Sequence, residues 1–345
     1  RADGSPNGVE VLRLEEKLGI HGSPTAAISF RGAEAQRLGA KGQGFRAMLT
    51  LMNNARLGVA AQGIGIAEAA LDAAIRYARE RRQFGVPIAQ QPLMKNILAR
   101  MVTWLEGSRA LLYRACALVD RNRSIDALLA RDELSEAERT RWQAVRERNE
   151  VRIRLLTPLA KYLATESCNA ITRAAIQVHG GLGFMAESVP GKLHADGIIT
   201  TIYEGTSEIQ VSFALREVGK GALTVVFDEV DRDLAALGRP ELAGLAERVR
   251  RGIQQVLSAG GVLAADMGYA LLSAQSLAEN IISVIVSAEL LRQADADPAR
   301  FDVAASWVER RMVDVEGRSE RIREGSPGLL DRCERMIDAL VPAPS

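Results

Sequence analysis

The stretch from Phe45 to Arg82, FRAMLTLMNNARLGVAAQGIGIAEAALDAAIRYARERR, carries apolar or alanine side chains every three or four residues and contains no proline. That period places them on one face of a long α-helix, which needs other helices to cover it. Gly58, Gly63 and Gly65 weaken the helix locally, yet small residues also let a neighbour approach closely. Further helical runs extend from about Leu93 to Val119 and from about Val151 to Val178, and a fourth element runs from near Ser207 to about Gly219. Breaks fall at QFGVPIAQQP, punctuated by Gly85, Pro87 and Pro92, and at the glycine turn HGGLGF. Ahead of the helices, VEVLRLEEKLG and PTAAISFRG alternate apolar and polar residues and read as short strands, followed by the loop Leu38 to Phe45.

Two regions lie outside this pattern. Asp120 to Glu150 is charged and poor in large apolar residues, so an inserted loop is expected there. It leads into an exposed helical start at the capping-box sequence SEAE, Ser135 to Glu138. From Ala222 to Leu340 the period stays helical, with breaks expected at LGRPEL, SAGG and DADPARF. The expected fold class is mainly α: a four-helix bundle preceded by remnant β-domain strands and followed by an extra helical module. The divisions fall at 1–40, 41–221 and 222–345.

Lys and Arg total 44 against 43 for Asp and Glu, which removes the electrostatic reason to expect nucleic acid or an anionic membrane as partner. Cys116, Cys168 and Cys333 are far apart and lack metal-ligand spacing. They read as buried thiols of a reducing, cytoplasmic compartment, with no disulfide framework and no metal site expected. No apolar run reaches the roughly 18 uninterrupted residues of a membrane span; NIISVIVSAELL, Asn280 to Leu291, reads as a core helix. KGQGF and GGLGF do not follow a strand into a dinucleotide-binding turn. The chain opens on Arg1, and it is expected to be a piece of a longer protein.

Three segments carry the chemistry: Arg56 to Ala89, AAIQVHGGLGF (Ala174 to Phe184) and IYEGTSEIQ (Ile202 to Gln210). In this order and spacing they resemble the C-terminal half of the acyl-CoA dehydrogenase family of flavoproteins, over roughly Glu16 to Val218. The resemblance implies a four-helix bundle that follows a helical domain and a β-domain, with FAD held between them and across a subunit interface. It also implies α,β-dehydrogenation of an acyl-CoA thioester, homodimers or homotetramers, and electron transfer flavoprotein as oxidant. Glu204 matches the family's base in the YEGT turn. Abstraction of a proton α to a thioester needs a carboxylate in a dry site, where it is the stronger base. Its backbone N–H is expected to hold the thioester carbonyl.

The alternative address for the base, just before Arg56, is Ala55 and is vacant. Arg56, Tyr203 and Gly205 are expected to line the substrate. Arg81, Gln83 and Phe84 match contacts to the neighbouring subunit's FAD. Gln177 and Gly181 match contacts to its adenosine end, and Thr206 and Glu208 contacts within one subunit. A carboxylate at Glu208 is unfavourable beside pyrophosphate, and His179 reads as packing. Pro92 and Ala195 depart from the family's glutamine and arginine. The insert and tail resemble the long branch that includes 3-methylmercaptopropionyl-CoA dehydrogenase-like enzymes. The family's upstream flavin contacts lie outside this sequence, so the chain alone is expected to bind FAD poorly and turn over little. Two other readings remain open: a non-catalytic flavoprotein relative that binds DNA, separable by a salt-dependent binding assay, and a helical oligomerisation module.

Overall fold

The computed structural model describes residues 3–325 and 328–340, apart from the side chains of residues 49, 50 and 53. β1 (Val9–Leu14) and β2 (Ala26–Phe30) pair antiparallel, with Val9 opposite Phe30 and Leu14 opposite Ala26. Val9, Val11, Leu14, Ile28 and Phe30 are all exposed, so this hairpin encloses no core of its own. Its connecting segment docks on the helices: the Ile20 N–H donates to the Asp196 carboxylate at 2.5 Å. A Cβ on Gly19 would lie 2.5 Å from the Ala195 carbonyl oxygen, an approach only glycine permits.

α1 (Gly44–Glu80) is followed by a two-rung hairpin of β3 (Arg82–Gln83) and β4 (Val86–Pro87), then by α2 (Pro92–Leu129) and α3 (Glu136–His179). The loop expected between Asp120 and Glu150 is corrected here: the segment forms the end of α2 and the start of α3, and only residues 130–135 turn the chain. Its polar side chains satisfy one another across the two helices. Arg146 pairs with Asp126, Asn149 Nδ2 donates to Asn122 Oδ1 at 3.0 Å, and Asn122 Nδ2 donates to the Arg146 carbonyl at 3.2 Å. Low hydrophobicity therefore marked an extended helix pair rather than a loop. The capping box is present: Ser135 Oγ accepts from the Glu138 N–H at 3.3 Å, and the Glu138 carboxylate accepts from the Ser135 N–H at 3.0 Å.

α4 (Val189–Ile198) and α5 (Ser207–Gly219) bracket the turn that carries Glu204. α1 and α3 run parallel, with Gly63 at the middle of α1 against Ala164 and Tyr77 stacked on His179 near their C-terminal ends. α1, α2, α3 and α5 form the bundle, in which α3 packs against the other three. The fold is mainly α, as anticipated above.

The tail forms α6 (Ala222–Ala235), α7 (Ala243–Leu263), α8 (Met267–Ala296), α9 (Phe301–Glu324) and α10 (Leu329–Leu340). The chain breaks near LGRPEL and DADPARF, as expected. SAGG does not break it: α7 runs through Ser258 to Gly261, with Ala259 fully buried and Gly260 open to Leu223 of α6. The buried stretch Asn280 to Leu291 makes α8 a core helix. By length and composition alone, segments of α1 and α8 could cross a membrane, but 72% of the α8 window is buried within the protein. The expectation of three buried thiols is corrected: Cys168 is buried, whereas Cys116 and Cys333 are half-buried, and all three are free. Partial exposure of the other two follows from their places on outer helix faces.

One apolar core extends from α1 into α9. Trp307 of α9, 1% exposed, fills the space beside Gly107 of α2, where a Cβ would meet the indole ring at 2.4 Å. Arg114 of α2 adds a polar tie, donating at 2.9 Å to both Asp233 of α6 and Glu289 of α8. Trp307→Ala is expected to destabilise the protein by about 3–5 kcal/mol, through a cavity between α2, α8 and α9. Urea unfolding followed by circular dichroism measures it.

Candidate active site

Local geometry forces the chain around Glu204 into a rare conformation. A 3-10 turn, Ile199–Thr201, follows α4 directly, and the N–H groups of Ile202 and Tyr203 both donate to the Ile199 carbonyl. The chain then reverses through Glu204 at φ 56° and Gly205 at φ 93° before α5 begins. A left-handed conformation costs a non-glycine residue about 1–2 kcal/mol, so other contacts must hold it. Two buried donors do so. Lys161 Nζ, on α3, donates to the Gly205 carbonyl at 2.9 Å. Gln210 Nε2, on α5, donates to the same carbonyl at 2.9 Å and to that of Glu204 at 3.1 Å. A Cβ on Gly205 would lie 2.7 Å from Gln210 Nε2, so glycine is required for this grip as well as for the turn.

Glu204 is half-buried, and its Oε2 is buried with no hydrogen-bond partner among the described residues. Its N–H likewise donates to no group among the described residues. Arg56 of α1 is buried nearby, its guanidinium 4.7 Å from the centre of the Phe213 ring, which Arg216 also approaches at 5.1 Å. Burial pushes the Arg56 guanidinium below its ordinary range; the Glu204 carboxylate opposes that, and Arg216 adds to it. The Tyr203 hydroxyl donates to Gln62 of α1, and burial raises its pKa. Arg56, Tyr203, Glu204 and Gly205 thus form one cluster, with Ala55 offering no rival carboxylate.

Beside them, Thr206 and Glu208 open α5. Glu208 is exposed, and its carboxyl lies below the usual range because its own N–H and the Thr206 hydroxyl bond to it. The Ser207 hydroxyl donates to Glu166 of α3.

The remaining sequence-selected residues lie elsewhere. Arg56 and Arg81 are separated by about 37 Å of helix, and Lys161 and Gln177 by about 24 Å. Arg81, Gln83 and Phe84 sit at the far end of α1, where the Tyr77–His179 stack, 4.3 Å between ring centres, ties them to the end of α3 with Gln177 and Gly181. His179 also bonds the Ala175 carbonyl through Nδ1 at 2.7 Å, a packing role. Phe84, at φ 52°, is 92% exposed, and no atom lies within 4 Å of a Cβ built on Gly181. This chain gives neither residue a packing reason to be what it is. The sequence-selected residues therefore fall into two separate groups, one around Glu204 and one at the far end of α1 and α3. Lys161, Gln210, Phe213 and Gln62 escaped the sequence reading. A lysine inside the apolar helical run LLTPLAKYLAT was the available signal for the first.

The acyl-CoA dehydrogenase C-terminal domain profile matches residues 42–219. The caffeyl-CoA reductase–Etf complex subunit CarC of Acetobacterium woodii is 34% identical over 59% of this chain and 47% of that protein. Human mitochondrial short-chain specific acyl-CoA dehydrogenase is 34% identical over 59% of this chain and 43% of its own. The chain thus spans about half the length of the curated relatives it matches. Among solved structures, Caenorhabditis elegans ACDH-11 in complex with C11-CoA superposes with a TM-score of 0.83 at 22% identity, over 99% of this chain and 56% of that one. The Bacillus anthracis acyl-CoA dehydrogenase complexed with FAD gives 0.75 at 22% identity, over 98% and 60%. Both likenesses take in the tail helices as well as the bundle, and at these identities they speak for the fold. The match across residues 42–219 establishes that this chain belongs to the acyl-CoA dehydrogenase family.

Proposed function

We propose that the holoenzyme containing this chain performs FAD-dependent α,β-dehydrogenation of an acyl-CoA thioester, with Glu204 as the base. The observation that carries this reading is a carboxylate oxygen withdrawn from water without a partner, on a turn held against its conformational preference. Such an oxygen is ready to accept a proton from carbon. A dehydrogenase and a reductase both stand among the relatives, and the same carboxyl takes the α-proton in one direction and returns it in the other. Arg56, held by Phe213, supplies a fixed positive charge beside that carboxylate. The unpartnered Glu204 N–H is free to donate to the thioester carbonyl as charge develops on it. Tyr203 and Gly205 complete the wall on the substrate side.

The exposed Phe84 and the open space at Gly181 fit a bound planar cofactor. FAD, when bound, accepts the hydride from the β-carbon. Thr206 and Glu208 would meet it within one protomer. Because the Glu208 carboxylate is ionised, we assign it to hydroxyl groups rather than to phosphates. Arg81, Gln83, Phe84, Gln177 and Gly181 would hold the FAD of a second copy, Arg81 with the donor fork that suits pyrophosphate. The helical separation of the two half-sites supports a homodimer or a dimer of dimers as the active form. Electron transfer flavoprotein is the proposed oxidant, consistent with the name of the Etf-complex relative. We further assign the enzyme to the cytoplasm. The divisions at 1–40, 41–221 and 222–345 are proposed as a β-domain remnant, the bundle and an added helical domain that shares the bundle's core.

Glu204→Gln in the flavin-loaded holoenzyme is expected to lower kcat by about a thousandfold or more while flavin absorbance is retained. Stopped-flow bleaching of the flavin by a panel of acyl-CoA thioesters reads it, and unchanged bleaching rates overturn the assignment. Shared sites make a second forecast. Glu204→Gln subunits and Arg81→Ala/Phe84→Ala subunits, each inactive alone, should regain about one quarter of wild-type activity when co-assembled, because hybrid dimers hold one intact site. Steady-state assays on co-expressed protein measure this; no recovery places each site within one chain.

A further inference from the structure

Resting on the function proposed above, we propose that Lys161 is the positioning residue of this site. By gripping the Gly205 carbonyl from the bundle core, together with Gln210, it keeps the Glu204 carboxyl aimed at the substrate. Lys161 is completely buried, a costly place for an ammonium group, and among the described residues its side chain makes one hydrogen bond, to the carbonyl of Gly205, the residue after Glu204. The strain at Glu204 and the burial of Lys161 are two unfavourable features that meet at adjacent residues of one turn. If Lys161 served packing alone, a methionine or leucine there would do so without the charge.

The charged groups around Lys161 are Glu166 on its own helix, Arg56 on α1, Glu204 in the turn and Glu208 at the start of α5. Glu279 of α8 is engaged by Tyr162 and Arg318 instead. Burial outweighs the carboxylates and brings the Lys161 ammonium down to about 8. Below that pH the bond to Gly205 is charge-assisted; above it a weaker neutral donor remains. The grip therefore loosens on the alkaline side. The same shift has an opposite effect on folding. The folded form loses its proton before the unfolded chain does, so stability rises as pH climbs from about 8 toward 10.5.

Lys161→Met in the flavin-loaded holoenzyme tests the assignment. It keeps the stem and removes both donor and charge. kcat is expected to fall roughly 10- to 100-fold, the scale of a misplaced reacting group, with KM for the acyl-CoA within about threefold of wild type. The wild-type loss of kcat centred near pH 8 should vanish in the variant. Its thermal midpoint at neutral pH should not drop, and the stability gain between pH 8 and 10 should be lost. Gln210→Met, which weakens the same grip without touching the charge, should lower kcat while keeping the alkaline limb. It decides the matter alongside the wild-type profile if Lys161→Met fails to fold. A wild-type kcat in Lys161→Met or Gln210→Met, or a wild-type profile flat from pH 7 to 9, overturns the inference provided Glu204→Gln is inactive. Full turnover by Glu204→Gln overturns the underlying function, and this assignment with it.

Discussion

The close approach of α3 to α1 and α4 is the constraint on which the rest depends. At Gly63, Ala164, Cys168 and Gly197 the helices meet through side chains no larger than a thiol: a Cβ on Gly197 would lie 3.1 Å from Cys168 Sγ, and one on Gly63 3.3 Å from the Ala164 carbonyl oxygen. Asn169 Nδ2 and the Thr200 hydroxyl both donate to the Gly197 carbonyl, at 3.2 and 2.6 Å, which closes the end of α4 against α3. With α4 anchored there, the turn that follows has few places to go. It emerges over Lys161, one helical turn before Ala164. Packing density at four small residues thus becomes the position of one carboxylate.

The tail helices bear on the same site from the other side. α8 packs against α3 and α5, the two helices that supply Lys161 and Gln210, and α9 locks α2 through Trp307 and Gly107. The Arg114 network with Asp233 and Glu289 joins bundle and tail through partly buried charges, whose partners must all be present for burial to be tolerable. The likeness in fold to ACDH-11 runs the length of the chain, tail helices included.

Much of this was legible before any coordinates, because helical periodicity and turn punctuation are local signals. The long helices, the capping box at Ser135, the start of α5 and the Glu204 turn all follow from spacing and residue type. The errors share one physical origin: local composition says nothing of what lies across an interface. Asp120 to Glu150 reads as a loop until Arg146 is seen to meet Asp126. SAGG reads as a break until the open face of Gly260 is seen to accept Leu223. Lys161 and Gln210 were invisible for the same reason. Their roles arise from carbonyls 44 residues away and five or six residues away, reached only once α3 and α5 have packed. The division of Arg81 from the Glu204 cluster also needed the structure, since motif order along a chain conceals the roughly 37 Å of helix between Arg81 and Arg56, which lies beside Glu204.

The costs in this molecule are not spread evenly. Buried polar atoms without partners among the described residues also occur at Arg152, Asn280, Arg311 and Arg318, but around the turn at Glu204 several costs coincide: a left-handed glutamate, its carboxylate oxygen and the Gln210 Oε1 of α5 without partners, and the fully buried Lys161 of α3. Gln210 cannot relieve its own orphan by flipping, because both carbonyls it serves require its NH₂ group. A sequence free to optimise stability would remove each of these with a single substitution. Their gathering around residues 204 and 205 makes that turn the strained part of the candidate site, in keeping with the chemistry proposed for it.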